Sequence, residues 1–155
     1  MDTTTAALVG ATGGAGTTRS CLELATALAA DGDDVAVLDA AYDTQGLSRQ
    51  FSGRLSPDMT ALATDESNQP LSAGLVEFEA AEKAESTVIE RADLPEPGRV
   101  VCCPASAPFE RLARAKTPEA AQTLERRIAE AAEAFEYVLV DTPPLATNPA
   151  VAAVT

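Results

Sequence analysis

Residues Gly10–Ser20, "GATGGAGTTRS", have the glycine spacing of a loop that wraps a phosphate chain. The loop follows an apolar run, Ala6, Ala7, Leu8 and Val9, and leads into a helical pattern. Backbone N–H groups of Gly13, Gly14, Ala15 and Gly16 can cradle phosphates there, helped by the positive end of the helix. Glycine suits the loop because the backbone must approach phosphate closely and take φ > 0. Where such loops normally carry a lysine, this one has Thr17. The hydroxyl of Thr18 suits a magnesium ion.

The flanking segments read as alternating strands and helices. "TAALVG", 5–10, is a short buried strand, and the segment from Thr17 to Gly32 is a helix with Cys21, Leu24, Ala25 and Leu28 on one face. Gly32 ends that helix. "VAVLD", 35–39, "RVVCCP", 99–104, and "YVLVD", 137–141, are continuous apolar strands of the kind found in parallel sheets covered on both faces. Residues 117–135 give the clearest helix. Thr117 is its N-cap, Pro118 its first residue, and Leu124, Ile128, Ala131 and Phe135 its apolar stripe. Between them, "SPDMTALATD" and "PLSAGLVEF" predict two short helices, Glu77–Leu94 is acidic and ambiguous, and "LPEPG", 94–98, is a turn. The pattern predicts one domain over 1–155, a doubly wound, mainly parallel α/β sheet with helices on both faces.

In such sheets ligands bind outside the carboxyl ends of the strands. The glycine loop, Asp39 at the end of the second strand and Asp141 at the end of the fourth can therefore meet on one rim. Asp141 can offer a carboxylate to the ion, or the waters, that Thr18 would hold.

Composition narrows the chemistry. The chain has 24 acidic and 11 basic residues, a net charge of −13, and only two lysines, Lys83 and Lys116. This suits a protein of a salty cytosol, where carboxylate repulsion is screened. It argues against direct nucleic-acid binding, which needs a basic face. The densest basic cluster, Arg111, Arg114 and Lys116 with Arg126 and Arg127, reads as a solvated helix face balanced by Glu110, Glu119 and Glu125. With no histidine, His-based triads and His metal ligands are excluded. Cys21, Cys102 and Cys103 fit no zinc spacing and read as buried thiols. No signal peptide or membrane-length apolar run appears, so a cytoplasmic location is expected.

Taken together, these pieces resemble the MinD/ParA family of P-loop ATPases, whose loop has the pattern x-K-G-G-x-G-K-[ST]. "ATGGAGTT", 11–18, matches it in frame, "FEYVLVDTPP", 135–144, resembles its Walker B strand, and "DTQGL", 43–47, resembles the segment after its first switch aspartate. The resemblance implies ATP or ADP with Mg2+ as cofactor, bound by Gly13, Gly14, Ala15, Gly16, Thr17 and Thr18, with Thr18 and Asp141 on the metal. It implies Asp39 and Asp43 as candidates for catalysis, and a homodimer or a protein partner. Three positions depart from the pattern. The P-loop lysine is Thr17, the lysine that reaches across the dimer is Thr12, and the second aspartate of the strand-two pair is Ala41. Arg19 is the nearest replacement cation. The family's sheet continues beside its first strand, whereas this chain stops at "PLATNPAVAAVT", so its last strands are expected to be missing. The functions these observations leave are a nucleotide-binding switch with a degenerate loop and weak or no hydrolysis, a slow ATPase of the positioning or partitioning type, and a scaffold that binds no nucleotide.

Overall fold

The computed structural model describes residues 2–64, 68–80, 96–144 and 152–153. Most of the ambiguous stretch from Glu77 to Leu94, the first residues of the 94–98 turn and most of the C-terminal "PLATNPAVAAVT" lie outside the described residues.

Among the described residues five strands form one sheet in the order β1-β5-β2-β4-β3. They are β1 (Thr4–Val9), β2 (Val35–Asp39), β3 (Val76–Glu77), β4 (Val100–Cys103) and β5 (Tyr137–Thr142). All neighbours run parallel except β3, which pairs antiparallel with β4. Among the described residues four α-helices accompany them: α1 (Thr17–Ala30), α2 (Met59–Ala63), α3 (Phe109–Ala115) and α4 (Pro118–Ala132).

Alternation along the strands divides the core into two layers. Val35, Val37, Cys102 and Leu139 pack with Cys21, Leu22, Ala25 and Ala29 of α1. Ala36, Leu38, Cys103, Val138 and Val140 pack on the other face with Met59 and Leu62 of α2 and Leu124 and Ala131 of α4. Successive residues of a strand point to opposite faces, so both faces must be apolar when both carry helices. That is why β2 is buried at every position. β1, which pairs only with β5 among the described residues, is half exposed, and Val9 stands 53% exposed.

Several local readings change. "PLSAGLVEF" is not a helix: a 3-10 turn at Leu71–Gly74 passes into β3, whose partners lie in β4. A two-residue strand is held by that pairing rather than by its own pattern. The buried stripe of α1 is Cys21, Leu22, Ala25 and Ala29, while Leu24 points out at 41% exposure. The helix thus sits rotated from the face its leucines suggest. Thr117 does cap α4, its hydroxyl accepting the N–H of Ala120 at 3.2 Å.

The basic cluster is not simply a solvated face. Arg111 donates to the buried Asp58 at 2.9 Å. Arg127 is buried on the inner side of α4, where it donates to the Leu62 carbonyl at 3.2 Å and to Glu130 at 2.6 Å. Lys116 pairs with Asp43 at 2.6 Å. Asp58 and Asp43 are distant in sequence from the basic residues they pair with, so the fold and not the local charge pattern brings them together. The three cysteines are buried free thiols, with Cys102 and Cys103 on opposite faces of the sheet. Among the described residues no helix is long and apolar enough to cross a membrane.

Candidate functional site

The rim at the carboxyl ends of the strands is set by register. Leu8 and Asp39 both lie opposite Asp141, so the loop after β1 and the two aspartates are brought together across three strands. A cleft of about 1110 Å³ opens there. Its wall includes the loop from Thr12 to Thr18, Leu22, Asp43, Arg49, Phe78 and Asp141.

The loop from Ala11 to Gly16 is exposed, and Gly14 and Gly16 take left-handed φ values of 76° and 78°. A side chain at either position would be strained. A Cβ added to Gly13, Gly14 or Gly16 would meet nothing within 4 Å among the described residues, so the space beside these glycines is open. The Ala15 N–H is engaged inside the loop, donating to the Thr12 carbonyl at 3.3 Å. Helix α1 starts from Gly16 with no side-chain cap. The N–H groups of its first turn have no intrahelical acceptor, and its dipole adds positive potential at the same place.

Thr17 and Thr18 point to different neighbours. A Cβ on Gly10 would come 2.7 Å from the Thr17 Oγ1, so Gly10 makes room for the side chain at 17. Thr18 Oγ1 donates to Asp141 Oδ2 at 2.5 Å. Gly46 packs on that same hydroxyl, where a Cβ would come within 2.9 Å.

The two strand-end aspartates differ. Asp39 Oδ1 accepts the Ala41 N–H at 3.0 Å, and its Oδ2 accepts the Ala105 N–H at 3.2 Å. It is buried, and burial followed by the charge of Asp141 pushes its carboxyl well above the usual range, against the pull of those two N–H groups. It lies beneath the cleft rather than on its wall. Asp141 is also buried and lines the cleft, but its Oδ1 has no hydrogen-bond partner among the described residues. Burial raises its carboxyl, and the Thr18 hydroxyl lowers it only in part. Burial likewise pushes the Cys21 thiol up.

Of the residues read from the sequence, the structure brings Gly13, Gly14, Ala15, Gly16, Thr17, Thr18, Asp43 and Asp141 to one cleft, whereas Asp39, expected on the same rim, is buried and does not line it. Asp43 is exposed and held by Lys116. Arg19 lines the cleft in an i,i+4 pair with Glu23 at 2.7 Å. Arg49 and Phe78 also line it, and neither belongs to a sequence motif.

The fold is that of the ParA/MinD class of P-loop ATPases. No family model and no curated protein matches the sequence. Among solved structures it is similar to cobyrinic acid a,c-diamide synthase from Mycobacterium smegmatis with an ATP analogue and magnesium, at TM-score 0.72 and 17% identity. That match covers 98% of this chain and 56% of the other. An ATP complex of a Cyanothece McdA variant matches at TM-score 0.67 and 19% identity, over 98% of this chain and 52% of that one. The septum site-determining protein MinD from Pyrococcus horikoshii, complexed with Mg-ADP, matches at TM-score 0.65 and 17% identity, over 99% and 54%. The chain spans about half the length of these structures.

Proposed function

We propose that this protein is a cytoplasmic nucleotide-binding switch that takes ATP or ADP with Mg2+ on the 13–18 loop, hydrolyses it weakly or not at all, and acts through a second copy or a protein partner. The observation that carries the reading is the unpartnered Asp141 Oδ1, buried at the cleft wall beside an open glycine loop. A buried carboxylate oxygen without a donor is costly, and a cation or its water shell would satisfy it. Thr18 and Asp141 would hold the magnesium, and the loop N–H groups and the α1 terminus would hold the phosphates. Magnesium bound there supplies charge neutralisation to the phosphate oxygens.

The same residues support the reading of weak hydrolysis. Phosphoryl transfer rests on positioning and on electrostatic stabilisation. Thr12 and Thr17 carry no charge, and Ala41 no carboxylate. Both oxygens of Asp39 are occupied by backbone N–H groups, and Asp43 is paired with Lys116. A second reading, a slow ATPase, draws on Arg19, which lines the cleft but is held by Glu23.

The test is titration with ATP at fixed magnesium and several salt concentrations, with phosphate release followed alongside. Saturable, magnesium-dependent binding with turnover near background is the expected result, and Thr18→Ala should remove the magnesium-dependent part. No binding at any salt concentration contradicts the switch and leaves the scaffold, whereas rapid turnover makes the protein an ATPase.

A further inference from the structure

A phosphate chain in this cleft would meet an unbalanced set of charges. Three acidic side chains, Glu23, Asp43 and Asp141, line the described wall, with two basic ones, Arg19 and Arg49. Arg19 is occupied by Glu23, and Asp43 by Lys116. Arg49 makes no ion pair among the described residues, and its guanidinium reaches only the Thr44 carbonyl, at 3.5 Å.

The segment carrying Arg49 is nonetheless well fixed. Leu47, two residues before it, is fully buried in the α1 layer of the core. The turn is closed by Arg49 N–H to the Gly46 carbonyl at 3.3 Å and Phe51 N–H to the Ser48 carbonyl at 3.2 Å. Ser48 Oγ donates to the Gln45 carbonyl at 2.7 Å, and Phe51 packs edge-on against Phe78 of the cleft wall. Gly46 touches the Thr18 hydroxyl, the group bonded to Asp141. A rigid turn thus brings an arginine with no carboxylate partner to the cleft beside the start of α1.

We propose that Arg49 supplies the cation that positions 12 and 17 lack, its guanidinium binding the outer phosphates of a nucleoside di- or triphosphate. This rests on the nucleotide reading above. Guanidinium suits the task because its planar N–H groups match phosphate oxygens in pairs.

Calorimetric titration of the whole chain with Mg-ATP, Mg-ADP and AMP tests it, using wild type, Arg49→Ala, Arg49→Lys and Arg54→Ala. Arg54 is exposed and lies outside this cleft, so its variant removes the same charge elsewhere. Arg49→Ala should weaken ATP by about 10-fold or more, ADP by less, and AMP not at all. Arg49→Lys should recover part of the loss, and Arg54→Ala should bind as wild type does. Melting curves should coincide, because Arg49 is exposed. If wild type binds ATP and Arg49→Ala binds it equally well, or if Arg54→Ala weakens it as much, the role of Arg49 is overturned and the nucleotide site stands. If wild type binds no nucleotide, both fall.

Discussion

In the layer built by α2, α3 and α4, the buried carboxylate of Asp58 is fully occupied. It accepts the Thr60 N–H and hydroxyl, the Ser106 N–H and the Arg111 guanidinium. At the carboxyl end of β5, Asp141 is as deeply buried but has one donor, Thr18, and one oxygen with none. Both oxygens of the Asp58 carboxylate are satisfied within the protein, and its charge serves the fold. The Asp141 site leaves one carboxylate oxygen without a partner among the described residues, the place the proposed magnesium would fill. The basic residues follow the same division: Arg111 and Arg127 are built into the helical layer, while the loop that would need a cation has threonines.

Breaking the complete site should have the largest effect on the fold. Asp58→Ala leaves Arg111 without its carboxylate and α2 without its N-cap, and should cost about 3–5 kcal/mol in denaturant unfolding. Asp58→Asn keeps a capping oxygen and should cost less. A loss under about 1 kcal/mol for Asp58→Ala would mean that the ion pair is not structural.

The incomplete site should respond with the opposite sign. The Asp141 carboxyl is raised above its unfolded value, so the folded state holds the proton more tightly. Its contribution is fully present below the unfolded pKa, about 3.9, and is lost as pH rises through the folded value. Asp141→Asn cannot ionise and keeps an acceptor for Thr18. Without magnesium it should melt above wild type at neutral pH, with the gap closing toward pH 3. Magnesium should raise the melting temperature of wild type in the presence of ATP and leave the variant unmoved. A variant that melts lower at every pH would show that the carboxylate is needed for the fold itself.

The smallest and least local effect concerns the whole surface. With a net charge of −13, carboxylate repulsion should weaken the fold in dilute buffer. Melting temperature should rise steadily from dilute buffer to molar KCl, and a flat profile would remove the case for salt adaptation.

The parts of this molecule that are legible in the sequence are those with local causes. β2 and β5 are continuous apolar runs because helices cover both faces of the sheet. The start of α4 is written in Thr117 and Pro118. The site was legible for a related reason: the loop and Asp141 each follow an apolar strand, and parallel pairing of β1 with β5 carries both to one rim. What escaped has distant causes. β3 exists only through its pairing with β4. Arg111 reaches Asp58, 53 residues away, and the Arg127 Nε reaches the Leu62 carbonyl, 65 away, contacts that no local charge pattern shows. Arg49 belongs to no motif and lines the cleft on a turn whose Gly46 lies against Thr18.

The central claim is that Gly10–Ser20 is a phosphate cradle lacking its cation, and Thr17→Lys tests it most directly. The side chain at 17 lies against Gly10 and lines the cleft. A charge-assisted hydrogen bond adds about 1.5–3 kcal/mol, so Mg-ATP should bind about 10- to 150-fold tighter than to wild type in side-by-side calorimetric titrations. Turnover should barely change, because Thr12 and Ala41 still supply neither cation nor carboxylate. Thr17→Lys binding ATP no better than wild type would contradict the account and leave the glycines as a tight strand-to-helix turn.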